Sequence, residues 1–593
     1  MLKRLFTFAF VLVITISLYS QDKADTKYWI IFKDKGKYSY EDKITKGSEA
    51  YNTGLATLTD RAIQRRLKVL PEEELIDFGD LPLEENYIQE IEKLGIELIA
   101  KSKWFNGVSA YLTIEQLERI KKLDFVSQIR LVNKLIKQDI VSLAPIECGD
   151  YYENQIFRFV DVKNILNYGK SFDQMNQLDV PKVHNLGITG KGVLVASLDD
   201  GFDWRNHEAL KDLKVIAEYD FINKDEFTYN EANQKYEDSY EQSGHGTGTF
   251  STMAGYKEGK LIGPAFNSEF ILAKTEYSSS ETPMEEDFWL EAVEWVEGKG
   301  VDIITTSLIY KEFDKPYTTN SYKYEDYDGK TAISTLAATR CAHLGIVVLA
   351  AIGNYSQTAI PSLGSPADGD TIITVGAVLS DGNIASFSSN GPTSDGRTKP
   401  DVLAMGVNVY IASKERTNAY EFSNGTSFST PITAGVCALI LSAHPELTPL
   451  QVREALRLTA NNSSTPNNIM GWGIINAYNA LLYYGMAWSN EAIVNIESDN
   501  IKVSISLASK YLIEGVKIFY STDDGNTFSE KNMSYIQGNE DGNKSGLYSV
   551  DLSDIPSQGN ILYYFYAKDF NNDESVYPLD ANRKSEKCFV YNY

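Results

Sequence analysis

The chain's 593 residues suffice for three or four domains of about 150 residues each, and its 43% hydrophobic content supplies cores for them to bury. A formal net charge of −25 argues against nucleic-acid binding, which needs a basic face. Such acidity suits a soluble exported protein and names no substrate.

The first residues, MLKRLFTFAFVLVITISLYSQ, set Lys3 and Arg4 before an apolar run from Leu5 to Leu18 and a small Ser20. This pattern predicts a secretory signal peptide at 1–20, cut after Ser20. The run is short for a membrane span, and no cysteine follows it to carry a lipid. The mature protein is therefore expected to be secreted, extracellular or periplasmic, with no membrane span, and a monomer.

Residues 21–150 predict a small α+β domain. Strands are expected at 28–33, 96–102 and 105–113. Helices are expected at 58–67, begun by Thr59 or Asp60, at 87–95, closed by Gly95, and at 114–123. The block holds no histidine, so it is a poor place for a general base. Region 135–170 shows no period and reads as a linker.

From 171 to 485 the rhythm changes. Apolar strands at 191–200, 301–310 and 344–354 alternate with helices at 287–300 and 331–345. That alternation predicts an α/β domain, a mostly parallel sheet covered by helices on both faces. Ligands bind such sheets at the carboxyl ends of the strands, where Asp199, Ser307 and Asn354 fall. Segment 223–242 is acidic and reads as a solvated loop whose oxygens suit a calcium ion. Residues 490–593 read as an antiparallel β-sandwich, with strands at 502–506, 516–528, 546–552 and 560–569 and a hairpin turn at Asp524-Gly525. The four cysteines show neither metal spacing nor a disulfide framework, and Cys437 reads as a core residue.

Chemistry centres on SNGTSFSTP (423–431), where hydroxyls crowd together. A serine needs a base and an oxyanion site before it becomes a nucleophile. Of the five histidines, His245 stands apart in SGHGTGTFSTMAG, where small neighbours permit close approach. Each residue has a plainer reading alone. His245 can be an exposed side chain at a helix start, Asp199 and Asn354 can be turn residues, and Thr430 can cap a helix begun by Pro431.

Taken together, LDDGFDWRNHEAL (198–210), HGTGTFSTMAG (245–255) and NGTSFSTPITAG (424–435) resemble the Asp, His and Ser segments of subtilisin-like serine proteases. Their chain order is that of subtilisin. SPADGDTIITVGA (365–377) and SFSSNGPTSDGRTKPDVLAMG (386–406) resemble intervening stretches of the same family, and the likeness runs over about 180–484. YWIIFK and FNGVSAYLTIEQLERIKKL resemble its inhibitory propeptide. The resemblance implies an endopeptidase acting on polypeptides through Ser427, His245 and Asp199, with Asn354 at the oxyanion and Ser307-Leu308 along the substrate backbone. It implies a propeptide acting as intramolecular inhibitor, and no required cofactor or catalytic metal. Ser427 Oγ, and no other hydroxyl of its run, should then reach His245.

Three residues depart from the family pattern. Asp200 stands where a small hydroxyl is usual, Gly248 replaces a second histidine, and Ile309 follows Ser307-Leu308 where glycine is common. Asp200 is expected to face away from His245 while shifting its pH profile; Gly248 should cost little; Ile309 should narrow the groove. A catalytically silent scaffold is the alternative. An α/β-hydrolase esterase fits poorly, because only His444 follows the Gly425-Thr426-Ser427-Phe428-Ser429 segment.

Overall fold

A computed structural model describes residues 26–131, 164–232, 234, 242–315, 317–497, 500–538, 544–552, 560–584 and 587–592. The expected signal peptide, Cys148, most of the linker, and residues 233 and 235–241 of the acidic loop lie outside the described residues.

The N-terminal part is a four-stranded antiparallel sheet in the order Leu98–Ser102, Gly107–Leu112, Thr26–Phe32, Val126–Leu131. Side chains alternate across a strand, so Ile30 and Phe32 face inward. There they meet Ile88 and Ile91 of the helix Glu85–Glu92 and Ile120 of the helix Ile114–Ile120. Thr113 and Gln116 close a capping box at the second of these helices. Lys27 and Trp29 point the other way and lie against a helix of the next part.

That next part is built on seven parallel strands in the order Val402–Met405, Ile373–Val378, Val347–Ala351, Ile303–Thr306, Leu194–Asp199, Glu269–Lys274, Lys214–Asp220. Helices cover both faces, as the alternation predicts. One core joins the sheet to the helices Gly244–Ala254 and Thr426–Ala443. The other joins it to Pro283–Lys299 and Ile333–His343. The strand alternation picked out three of the seven strands. Short apolar runs such as Glu269–Lys274 cannot be told from buried helix by periodicity. The helix expected at 287–300 begins four residues earlier, at Pro283, where Thr282 precedes a proline suited to the first turn. Thr426–Ala443, long and apolar enough to cross a membrane, is buried within this core.

Two antiparallel five-stranded sheets follow. Strands Asn500–Ala508 and Ser545–Asp551 of one pack over Ile513–Ser521 and Asn560–Asp569 of the other, around Val503, Ile505, Ile518 and Phe565. Asp524 and Gly525 both have positive φ, but they sit inside a longer connection between Ser521 and Ser529 rather than in a two-residue hairpin. Cys341, Cys437 and Cys588 are buried and stand outside any disulfide.

Candidate active site

Asp199 ends a central strand, and Ser307 and Asn354 lie just past the ends of the next two. The Asp199 carboxylate is buried and accepts from His245 Nδ1 at 2.6 Å, Thr249 Oγ1 at 2.9 Å and its neighbour's Asp200 N at 2.9 Å. His245 sits in the first turn of Gly244–Ala254. Gly246 lets that turn abut the strand end: a Cβ there would lie 2.1 Å from Gly201 O and 3.0 Å from Asp199 Cβ. With Nδ1–H donating to Asp199, Nε2 is the nitrogen that lacks a proton in the neutral ring and can act as the base. Desolvation opposes the charged ring, but the Asp199 carboxylate outweighs it, and the His245 pKa rises to about 9.

Asp200 does more than face away. Its Oδ1 accepts from Gly246 N at 2.7 Å, and its Oδ2 accepts from His245 N at 3.3 Å and Ser278 Oγ at 3.1 Å. The side chain misses the imidazole but holds the backbone that carries it, where a helix N-terminus favours an anion. Burial, and then the Asp199 charge, push the Asp200 carboxyl up to about 7, against the pull of His245.

Ser427 occupies the second position of Thr426–Ala443. Gly425 caps that helix at φ +152, a conformation glycine adopts freely. The Ser427 backbone N–H has no acceptor among the described residues, as expected in a helix's first turn. Thr426 N and Thr426 Oγ1 donate to Asn354 Oδ1 at 2.9 and 3.0 Å. The two donors fix the amide's orientation, so the Asn354 Nδ2 side is left to donate on an exposed face. Ser307 Oγ donates to Ser427 O at 2.8 Å. The Phe428 ring stands 6.0 Å from that of His245, bringing the two helix starts together. The Ser427 hydroxyl itself donates to Ser307 O at a long 3.4 Å, and a bond to His245 is not among those formed. Such bonds commonly tighten only once substrate is bound.

The other hydroxyls of the run are structural: Ser429 and Thr430 donate back to Thr426 O at 3.0 and 2.8 Å. So are three other histidines. His184 lies between Tyr168 Oη and Pro264 O, both at 2.7 Å, and burial pushes its pKa down to about 4. His207 and His444 bond to the carbonyls of Ala419 and Leu481. At Gly248 a Cβ would stand 2.8 Å from Ile411 Cδ1, so that aliphatic chain takes the space a side chain would need. Leu308 is buried, and Ile309 packs over Gly364 on the adjoining segment. In the acidic loop, the described Asp225 and Glu231 both accept from Gln234. A tighter carboxylate group stands elsewhere, at Glu276, Glu281 and Glu285. Nothing in their spacing flagged it, because the residues span the end of a strand and the start of a helix.

Known proteins similar to this chain fall in one family. Residues 190–473 match the subtilase family, and residues 27–143 match the peptidase S8 propeptide domain of Bacteroidota. Subtilisin of Bacillus pumilus is 32% identical over 304 residues, covering 51% of this chain and 95% of its own. Subtilisin DY of Bacillus licheniformis is 33% identical over 297 residues, covering 50% and 93%. Serine protease AprX of Bacillus subtilis (strain 168) is 31% identical over 324 residues, covering 50% and 67%.

Proposed function

This chain belongs to the subtilase family of serine endopeptidases, and from that premise we propose that it is an exported protease using Asp199, His245 and Ser427, made as a zymogen. The observation that carries this reading is the 2.6 Å Asp199–His245 pair beside the helix start that bears Ser427. Ser427 Oγ attacks the substrate carbonyl carbon as His245 Nε2 takes the hydroxyl proton. The oxyanion is held by Asn354 Nδ2 and the Ser427 N–H, with the dipole of an 18-residue helix behind them. The carbon–nitrogen bond then breaks, and His245 returns the proton to the leaving amine. Water repeats the sequence on the acyl-enzyme. Asp199 keeps the imidazole in the Nδ1–H form and stabilises its charge. Ser307 and Leu308 align the substrate backbone. These steps use the chain's own groups and water.

The proposed organisation is a signal peptide at 1–20, a propeptide domain at 21–150, a catalytic domain at 171–485 and a β-sandwich at 490–593. The propeptide reading is supported by its outer sheet face, which covers Pro283–Lys299 through buried pairs such as Lys27–Asp287 at 2.8 Å. The mature enzyme acts outside the cytoplasm, as a monomer. A fluorophosphonate probe should label Ser427, and Ser427→Ala should abolish both labelling and release of the N-terminal domain, followed by N-terminal sequencing. Labelling that survives the substitution refutes the assignment. Intact sites with no peptide hydrolysis would favour a silent scaffold.

A further inference from the structure

The space beside Ser427 is partly filled by the protein's own chain. The strands Ile303–Thr306 and Val347–Ala351 are neighbours in the sheet. Past their ends the chain runs on through residues 307–310 on one side and 352–354 on the other. Both extensions reach the start of the helix Thr426–Ala443. Ser307 Oγ donates to Ser427 O at 2.8 Å, and Asn354 Oδ1 accepts from Thr426 N at 2.9 Å. Ser427 therefore stands at the mouth of the space between them. A third segment closes that space. Tyr310 N donates to Ser365 O at 2.8 Å, and Ser365 N donates to Tyr310 O at 3.2 Å. Toward the other extension, Ser362 N donates to Asn390 O at 3.1 Å, and Ser389 N donates to Gly353 O at 2.9 Å.

The floor so formed is glycine, and an isoleucine lies on it. Ser365 Oγ turns toward Ser334 Oγ and Thr335 Oγ1, at 2.6 and 2.8 Å, in the helix Ile333–His343. Neighbours in extended chain face opposite ways, and a Cβ on Gly364 would meet Ile309 Cγ2 at 2.3 Å. Ile309 thus takes the volume that Gly364 leaves open. Gly364 is buried and Ile309 half-buried. The backbone around Ile309 is held at Ser307 by Ser427, at Tyr310 by Ser365, and at Lys311, whose Nζ donates to Ser362 O at 3.1 Å and Leu363 O at 3.2 Å. A β-branched side chain on a pinned backbone has few other rotamers to adopt.

We propose that Ile309 sets the size of the side chain accepted immediately before the cut, and that the enzyme cleaves after small residues such as alanine. The inference rests on the proteolytic reading above. In the acyl-enzyme the substrate carbonyl carbon is bonded to Ser427 Oγ, with its oxygen toward Asn354 Nδ2. The side chain on the adjoining carbon then enters the space between the two extensions. A methyl group needs little of that space, whereas a phenyl ring needs the volume that Ile309 occupies. Forcing extra groups into filled space displaces side chains and backbone at a cost. That cost is felt in the transition state and lowers kcat/KM for the larger substrate.

The test compares two peptides that differ only in the residue before the cut, alanine or phenylalanine. The self-processed enzyme is used, with its active sites counted by fluorophosphonate titration. Wild-type kcat/KM should favour alanine by at least about tenfold. Ile309→Gly should move the phenylalanine-to-alanine ratio toward phenylalanine by about 10- to 200-fold. Gly364→Ala added to Ile309→Gly returns a methyl to the same space, where its next neighbours are Tyr310 O at 3.5 Å and Lys311 Cβ at 3.6 Å. It should take back part of the gain. A ratio of two substrates on one preparation does not depend on the fraction that folds. A wild type that cuts after phenylalanine as fast as after alanine overturns the proposal and leaves the protease reading standing. So does a ratio that Ile309→Gly leaves unmoved. No hydrolysis of any peptide by the wild type overturns both.

Discussion

At the carboxyl end of the sheet, a buried carboxylate faces a partner whose charge comes and goes; beneath the N-terminal domain, buried carboxylates face partners whose charge is permanent. Asp199 meets His245. Glu297 meets Arg65 and Arg66, with Arg66 Nε at 2.9 Å, and Asp80 takes the Arg66 fork at 2.8 and 2.9 Å. All four of these residues are closed to solvent. The imidazole can surrender its proton, so the first arrangement can work as a base. Guanidinium groups cannot, so the second can only hold the two parts together.

Their pH responses are opposite. The folded His245 pKa, about 9, lies above the ordinary 6.5. Its pairing therefore stabilises in full below 6.5 and is lost as pH rises through about 9. Glu297 and Asp80 are held below their ordinary values despite burial, by Arg65 and Arg66 for the first and Arg66 for the second. Their contribution is present above those ordinary values, 4.5 and 3.8, and is lost as pH falls through the lower folded ones. Acid should thus loosen the N-terminal domain, and alkali should free the base.

The comparison can be broken from either side. The largest effect belongs to Ser427→Ala, expected to lower kcat on the order of 10^6-fold, a magnitude taken from subtilisin, in single-turnover peptide assays. Asn354→Ala should lower kcat about 10^2- to 10^3-fold, the range known for the corresponding donor in subtilisin, with KM little changed. Glu297→Ala strands the buried Arg65 and leaves Arg66 to Asp80 alone, and should cost about 3–5 kcal/mol, read by denaturant unfolding of the full chain. An unchanged midpoint would mean that the ion pairs do not hold the domain. Asp200→Asn is the smallest and most discriminating change. It keeps an acceptor for the Gly246 N–H while removing a charge beside His245, so the alkaline rise of kcat/KM should move to lower pH while the plateau stays within a few-fold. A plateau that collapses with an unmoved pH profile would make Asp200 purely structural.

Much of the site was legible because its parts are locally encoded. A carboxylate ending an apolar strand, glycines crowding His245, and a serine after Gly425-Thr426 each leave a short signature. The helix starts at Thr59 and Thr113 are local as well, since a cap and the donors it meets lie within three or four residues. The role of Asp200 was not legible: alternation correctly turned its side chain from the imidazole, but the backbone it grips lies 45 and 46 residues away.

The sequence by itself determined which residues are proposed to carry the chemistry, their chain order, and the α/β character of the sheet that bears them. Tertiary structure alone decided which charges meet. Arg66 and Glu297 are 231 residues apart, and no hydrophobic period reports a partner at that distance. Periodicity records only which face is buried, whereas a buried charge is stabilised or stranded by the atoms within a few ångströms of it. That is why the acids paired with arginines beneath the N-terminal domain and the acids clustered at the helix start look alike along the chain and differ in the fold.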